Sequence, residues 1–310
     1  MSVTKPVTAI AVLLLAAGAR PAVAQRLESR PVPLRGISSF TFQSPSMGDR
    51  YAVNISVPRG VRAGSGRQYP AIVTTDGDWA FFAVNEAASG VMQQGAIDTL
   101  IVISIGTGVE DGDSVWSRRR VYEFSPPDWD LKDPFGQVVA QACQTFRMAP
   151  GRCTGGAPKF LNVIVNELLP MVMAQYPIDP NQLGLFGVSA GGFFASWAIF
   201  QPNSPFKRYL ISSPAMAYGN DDVFRQEARY AADHKDLPVK IYLGAGSLEI
   251  EDRFFEGTGK IVSGMVHLAG VLGGRGYPGL SVTTEIHPGL SHVDVVGTVV
   301  ARGLRVLYGK

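Results

Sequence analysis

The feature that most constrains this chain is an alternation. Short apolar runs, most followed closely by Gly or Ser, are separated by longer amphipathic segments. The runs are 71–75, 100–105, 183–188, 209–212, 240–243 and 281–286. Strands that are apolar almost throughout are buried on both faces, which is the mark of a parallel sheet. The segments 159–175, 190–201, 221–233, 253–270 and 293–307 carry helical patterning. Strand and helix in alternation predict an α/β fold with a mostly parallel central sheet of about eight strands flanked by helices. Two further strands, 38–43 and 51–57, precede this pattern and suggest an antiparallel edge. The stretch 116–156 has little periodicity and much Pro, Gly and charge, so it reads as an inserted loop or cap.

The chain has 310 residues, 46% of them hydrophobic, enough for one large core. Its 28 basic and 26 acidic residues nearly balance. That gives no electrostatic basis for a nucleic-acid or membrane-surface partner. The N-terminus has the form of an export signal: Lys5, an apolar run around Leu13–Leu15, then Ala22-Val23-Ala24. Cleavage is expected after Ala24, with residues 25–310 forming a single α/β domain and no membrane span remaining. The rival is an uncleaved anchor, but Arg20-Pro21 interrupt the run well short of about 20 apolar residues. A periplasmic or secreted protein meets an oxidising compartment, so Cys143 and Cys153 are expected to form a disulfide. Two sulfurs with no nearby His make a poor metal site, and no metal or organic cofactor is expected.

Gly187-Val188-Ser189-Ala190-Gly191 follows the run 183–188 directly and opens the helix beginning near Ala190. A G-x-S-x-G placed between strand and helix is a nucleophile-elbow pattern, with Ser189 as the attacking group. A serine needs an adjacent base. Of His234, His267, His287 and His292, the last two follow the final strand. His292, in a loop leading into the last helix, is the chosen base and His287 its rival. The acid that orients the imidazole is expected after the run 240–243, where Glu249 is the first candidate. Glu251 and Asp252, and Asp221 and Asp222 one loop earlier, are alternatives. Backbone N–H groups of an oxyanion hole are expected at Ala190 and in the turn Asp76-Gly77-Asp78-Trp79.

Together, the segments "YPAIVTTDGDW", "RRRVYEFSP", "GGAPKFLNVIVNELLPMV", "YPIDPNQLGLFGVSAGG", "LGAGSLE" and "HPGLSH" resemble an esterase family of α/β-hydrolases. That family includes trilactone-siderophore esterases and periplasmic carboxylesterases. The resemblance spans most of 35–307. It implies the α/β-hydrolase fold, the set Ser189, His292 and Glu249, and an oxyanion hole that uses Gly77 and Asp78 with Ala190. The elbow departs from many relatives in carrying Val188 and Ala190 where His and Leu are common. The expected reaction is hydrolysis of a small-molecule carboxylic ester through an acyl-enzyme. Acyl transfer by the same residues, or a catalytically silent binding module, are the alternatives. An anionic siderophore ester would call for positive charge near the site. Arg118 and Arg120, beside Tyr122, with Trp79 on the oxyanion turn, are the candidate substrate contacts, although an arginine cluster of this kind also suits a solvated loop.

Overall fold

In the expected strands, residues of both parities are apolar, which calls for a cover on both faces. The computed structural model, which describes residues 36–108 and 112–310, has that arrangement. The expected leader 1–24 and the lead-in that follows it lie outside the described residues. The strands are β1 (Ile37–Gln43), β2 (Arg50–Ser56), β3 (Tyr69–Thr74), β4 (Ile101–Gly106), β5 (Ile178–Val188), β6 (Arg208–Ser212), β7 (Lys240–Gly246) and β8 (Ser281–His287). They form one sheet in the order β1-β2-β4-β3-β5-β6-β7-β8. Only β2 runs against the rest. This is the α/β-hydrolase fold, and the expected antiparallel edge is present.

Ile72, Val102, Phe186, Leu210 and Tyr242 point to one face, covered by α1 (Gly77–Gln93) and α9 (Val295–Tyr308). Their neighbours in sequence, among them Val73, Ile103, Leu185, Ile211 and Leu243, point to the other, as a period of two requires. That second face is covered by α2 (Asp113–Phe124), α3 (Pro134–Thr145), α4 (Ala157–Asn162), α6 (Ala190–Ala198), α7 (Tyr218–Asp233) and α8 (Ile261–Arg275). Phe124, Phe160 and Phe194 meet with ring centroids 5.2 to 5.7 Å apart, joining α2, α4 and α6. Full burial of each such ring contributes about 1.5–3 kcal/mol.

The helices depart from expectation in four places. The helix expected over 159–175 is α4, a π-helical turn over Val163–Leu168, then α5 (Leu169–Gln175). Pro170 has no N–H to donate one turn back, and the wider turn precedes it. The helix expected from 253 starts instead at Ile261. Asp252 Oδ1 accepts the Phe254 and Phe255 N–H groups, both at 2.8 Å, and holds a separate turn. α1 was not expected. Finally, the expected loop 116–156 contains α3 and most of α2. Asp133 caps α3 by accepting from Phe135 and Gly136 N–H, with Pro134 behind it. Cys143 at the end of α3 is bonded to Cys153, with Cα atoms 5.5 Å apart. Among the described residues no helix is long and apolar enough to cross a membrane.

Candidate active site

β5 leads into α6 through one residue, Ser189, whose backbone sits at φ +57° and ψ −119°. This region is sparsely populated for a residue with a Cβ and persists only where the surroundings impose it. Here they do so through close backbone approach. A Cβ on Gly187 would stand 2.0 Å from the Gly191 carbonyl oxygen, and one on Gly191 would stand 2.8 Å from Thr75 Oγ1. The Ser189 N–H donates to the Ser212 carbonyl (3.0 Å) and its own carbonyl accepts from Ala215 (2.9 Å). Both glycines of the motif are therefore required by space, and the serine is held at the C-terminal edge of the sheet.

The ends of β7 and β8 bring two further groups to that edge. A 3₁₀ turn over Ser247–Glu251 follows β7 and buries Glu249. His292 Nδ1 stands 2.5 Å from Glu249 Oε1. A donor at Nδ1 leaves Nε2 as the acceptor nitrogen. The other carboxylate oxygen accepts from Ser213 Oγ (2.8 Å) and Gly246 N–H (2.6 Å). The His292 loop is fixed to the acid loop by Leu248 N–H to Leu290 O (3.1 Å) and Gly289 N–H to Ser247 Oγ (2.8 Å). Phe255 stacks on the imidazole with centroids 3.9 Å apart. Ser213 and Phe255 carry no signal in the sequence, because each acts through a neighbour that only the fold supplies.

The rival groups lie elsewhere. His287 is buried, with Nε2 3.2 Å from Tyr242 Oη, which donates to Glu285. His234 stacks on Tyr230, and His267 on Phe224. Asp222 pairs with Arg225 and Asp221 with Lys260. Asp252 holds its turn, and Glu251 is exposed.

Two helix N-termini converge beside Ser189. Ala190 is the first residue of α6, and Gly77 and Asp78 open α1. N–H groups in a first turn have no acceptor one turn back. The two ends are tied by Arg120, which donates from Nε to Asp76 Oδ1 (2.7 Å) and from Nη2 to the Val188 carbonyl (3.1 Å). Asp76 is the left-handed N-cap of α1, at φ +53°, and makes no side-chain cap bond. A Cβ on Gly191 would stand 3.0 Å from its Oδ2. Burial raises the Asp76 carboxyl above its usual range, while Arg120 pulls it down. Asp78 holds the chain after β4, accepting from Thr107 N–H and Oγ1 at 2.9 Å each and from Gly108 N–H at 2.6 Å.

The four expected substrate contacts separate. Arg120 is engaged inside the protein, and Tyr122 is buried under Arg152. Arg118 points away from Arg120 and shares a cavity with Tyr122, Arg147 and Arg152. Trp79, 41% exposed, lines a cavity of about 240 Å³ together with Trp116, Asp78 and Thr107.

The model of the family described as "Putative esterase" matches residues 44–253. The chain belongs to this family. It is 30% identical over 169 residues to a siderophore enterobactin esterase of Emericella nidulans, covering 54% of this chain and 52% of that relative. This alignment therefore spans only about half of that relative's length. It is 26% identical over 230 residues to a siderophore triacetylfusarinine C esterase of Aspergillus fumigatus, covering 71% and 70%. Among solved structures, the BES protein from Bacillus cereus superposes with a TM-score of 0.74 at 25% identity, over 92% of this chain and 99% of that one. The siderophore hydrolase EstA from Aspergillus nidulans gives a TM-score of 0.73 over 90% and 97%; at 22% identity this likeness speaks to the fold alone.

Proposed function

We propose that this member of the esterase family hydrolyses a carboxylic ester through an acyl-enzyme on Ser189. The observation that carries the reading is the arrangement at one sheet edge: a serine forced to φ +57°, and a histidine whose Nδ1 is held by a buried carboxylate. In the mechanism, Ser189 Oγ attacks the ester carbonyl while His292 Nε2 takes its proton. Glu249 keeps the imidazole oriented and stabilises its charged form. The oxyanion is met by the N–H of Ala190 and by those of Gly77 and Asp78 at the start of α1. His292 then returns the proton to the leaving alcohol, and water repeats the sequence to free the acid. Acyl transfer would use the same groups with an alcohol in place of that water.

The names of the relatives support a siderophore ester as the substrate class, and the arginine-rich α2 is compatible with an anionic one. The leader-like 1–24 and the Cys143–Cys153 bridge support export to an oxidising compartment. Ser189→Ala and His292→Ala are each expected to reduce hydrolysis of an activated aryl ester by about 10⁴-fold or more. The double variant should be scarcely worse, because residues acting as one unit are not additive. Steady-state rates with near-ultraviolet circular dichroism as a fold control check this. Retained turnover in Ser189→Ala with an intact fold would overturn the reading.

A further inference from the structure

A second concave feature lies between the turn before β2, the outer face of α2 and the loop closed by the disulfide. It is a cavity of about 290 Å³ lined by Asp49, Arg118, Arg119, Tyr122, Arg147 and Arg152, among others. Four guanidinium groups thus face one carboxylate. Two of the four are engaged. Arg152 donates to Asp49 Oδ2 (2.9 Å) and lies over the Tyr122 ring at 4.9 Å, and Arg119 donates to Glu123 Oε1 (2.8 Å). Arg118 and Arg147 have no hydrogen-bond or ion-pair partner for their guanidinium groups among the described residues.

The position of Arg147 is imposed on it. Its backbone is left-handed at φ +50°, an uncommon state for a residue with a long side chain. The Arg147 N–H donates to Gln144 O (3.0 Å), the Met148 N–H donates to Cys143 O (2.9 Å), and the disulfide closes the loop. Arg152 docks the same loop onto Asp49. One lining residue, Asp49, lies at the sheet edge that carries Ser189. Asp49 immediately precedes β2, where Ala52 pairs with Gly106, the last residue of β4. β3 and β4 separate β5 from β2, so the Asp49 end of the cavity lies three strand spacings from the elbow, about 14 Å along the sheet.

We propose that this cavity binds an anionic arm of the ester substrate, with Arg118 and Arg147 as its contacts. The chemical class is a planar oxyanion, for which a guanidinium fork offers paired donors. That the arm belongs to a substrate rests on the hydrolase reading; that the cavity takes an oxyanion does not.

The test uses two aryl esters of equal length that end, about 14 Å from the scissile carbonyl, in a carboxylate or in its carboxamide. The parent protein is expected to favour the carboxylate in kcat/KM by about tenfold, and the preference should shrink with added salt. In Arg118→Gln/Arg147→Gln that ratio should fall to near one, through KM. Calorimetric titration of the free carboxylate product should show about tenfold weaker binding to the double variant. Equal kcat/KM for the two esters in the parent, or a preference that survives in the double variant, would overturn the proposal, as would equal Kd values in the titration. If the parent turns over neither ester, the hydrolase reading fails, and the titration still decides whether the cavity binds the oxyanion.

Discussion

At the ends of β5, β7 and β8, Ser189, Glu249 and His292 are held by tight backbone turns and short hydrogen bonds, with glycines where chains must approach. Beside them, α2 and the stapled loop are held by arginines: Arg119 on Glu123, Arg120 on Asp76, Arg152 on Asp49. The first arrangement fixes the backbone of Ser189 and the side chains of Glu249 and His292. The second pairs charges, with Glu123 and Asp76 buried and the Arg152–Asp49 pair partly exposed, and a buried pair adds little net stability although loss of one partner is costly. The difference suggests a division of labour, with backbone geometry positioning the proposed reacting groups and ion pairs setting the spacing of what surrounds them.

The comparison breaks most directly at the acid. Glu249→Gln keeps the shape and removes the charge that favours the imidazolium. Activity on a neutral aryl ester is expected to fall by up to about 10⁴-fold, the scale seen when a triad acid becomes its amide. Asp222→Asn should change little, since Asp222 pairs with Arg225 away from His292. Near-normal rates in Glu249→Gln would reduce the working set to Ser189 and His292.

A smaller effect is expected at Arg120. Its two hydrogen bonds join the start of α1 to the end of β5. Arg120→Gln should therefore let the two sets of proposed oxyanion donors drift apart. Loss of one such donor costs about 10²–10³-fold in kcat. A fall of about 10²-fold in kcat with KM little changed is expected. Adding Asp76→Asn to Arg120→Gln should do little more, because the two side chains act as one contact. A loss confined to KM would return Arg120 to the substrate-binding role its sequence context suggests.

These two regions also differ in how far the sequence discloses them. Ser189 is legible because Gly187 and Gly191 are dictated by space and the motif lies between a strand and a helix. His292 and Glu249 are legible from their places after the last two strands. α2 is not, because its buried side is formed by Arg119, Arg120 and Glu123 as well as Phe124, so apolar periodicity is missing. α1 does carry a signal in Ala80, Phe81, Val84, Ala88 and Val91 at helical spacing, and only its start is obscured. Asp76 stands where a cap would be, yet its carboxylate serves Arg120 and not the α1 amides. α3 does carry a signal in Asp133-Pro134, an N-cap followed by proline, within a stretch whose other residues suggest a loop.

The smallest effect on catalysis is expected at the disulfide. Removing the Cys143–Cys153 link should lower unfolding free energy by about 2–4 kcal/mol, the usual contribution of a bridge. Turnover of a short neutral ester should fall less than twofold. Urea unfolding of Cys143→Ser/Cys153→Ser reads the first and initial rates read the second. An unchanged midpoint would mean that Arg152 and its partners hold the loop without the bridge.

The central claim is that Ser189 is the nucleophile, and a fluorophosphonate probe tests it most directly. Mass spectrometry of peptides from the labelled protein should place one adduct on Ser189. His292→Ala should label far more slowly, and Ser189→Ala should not label at all. An adduct on another serine, or labelling at an undiminished rate in His292→Ala, would contradict the account.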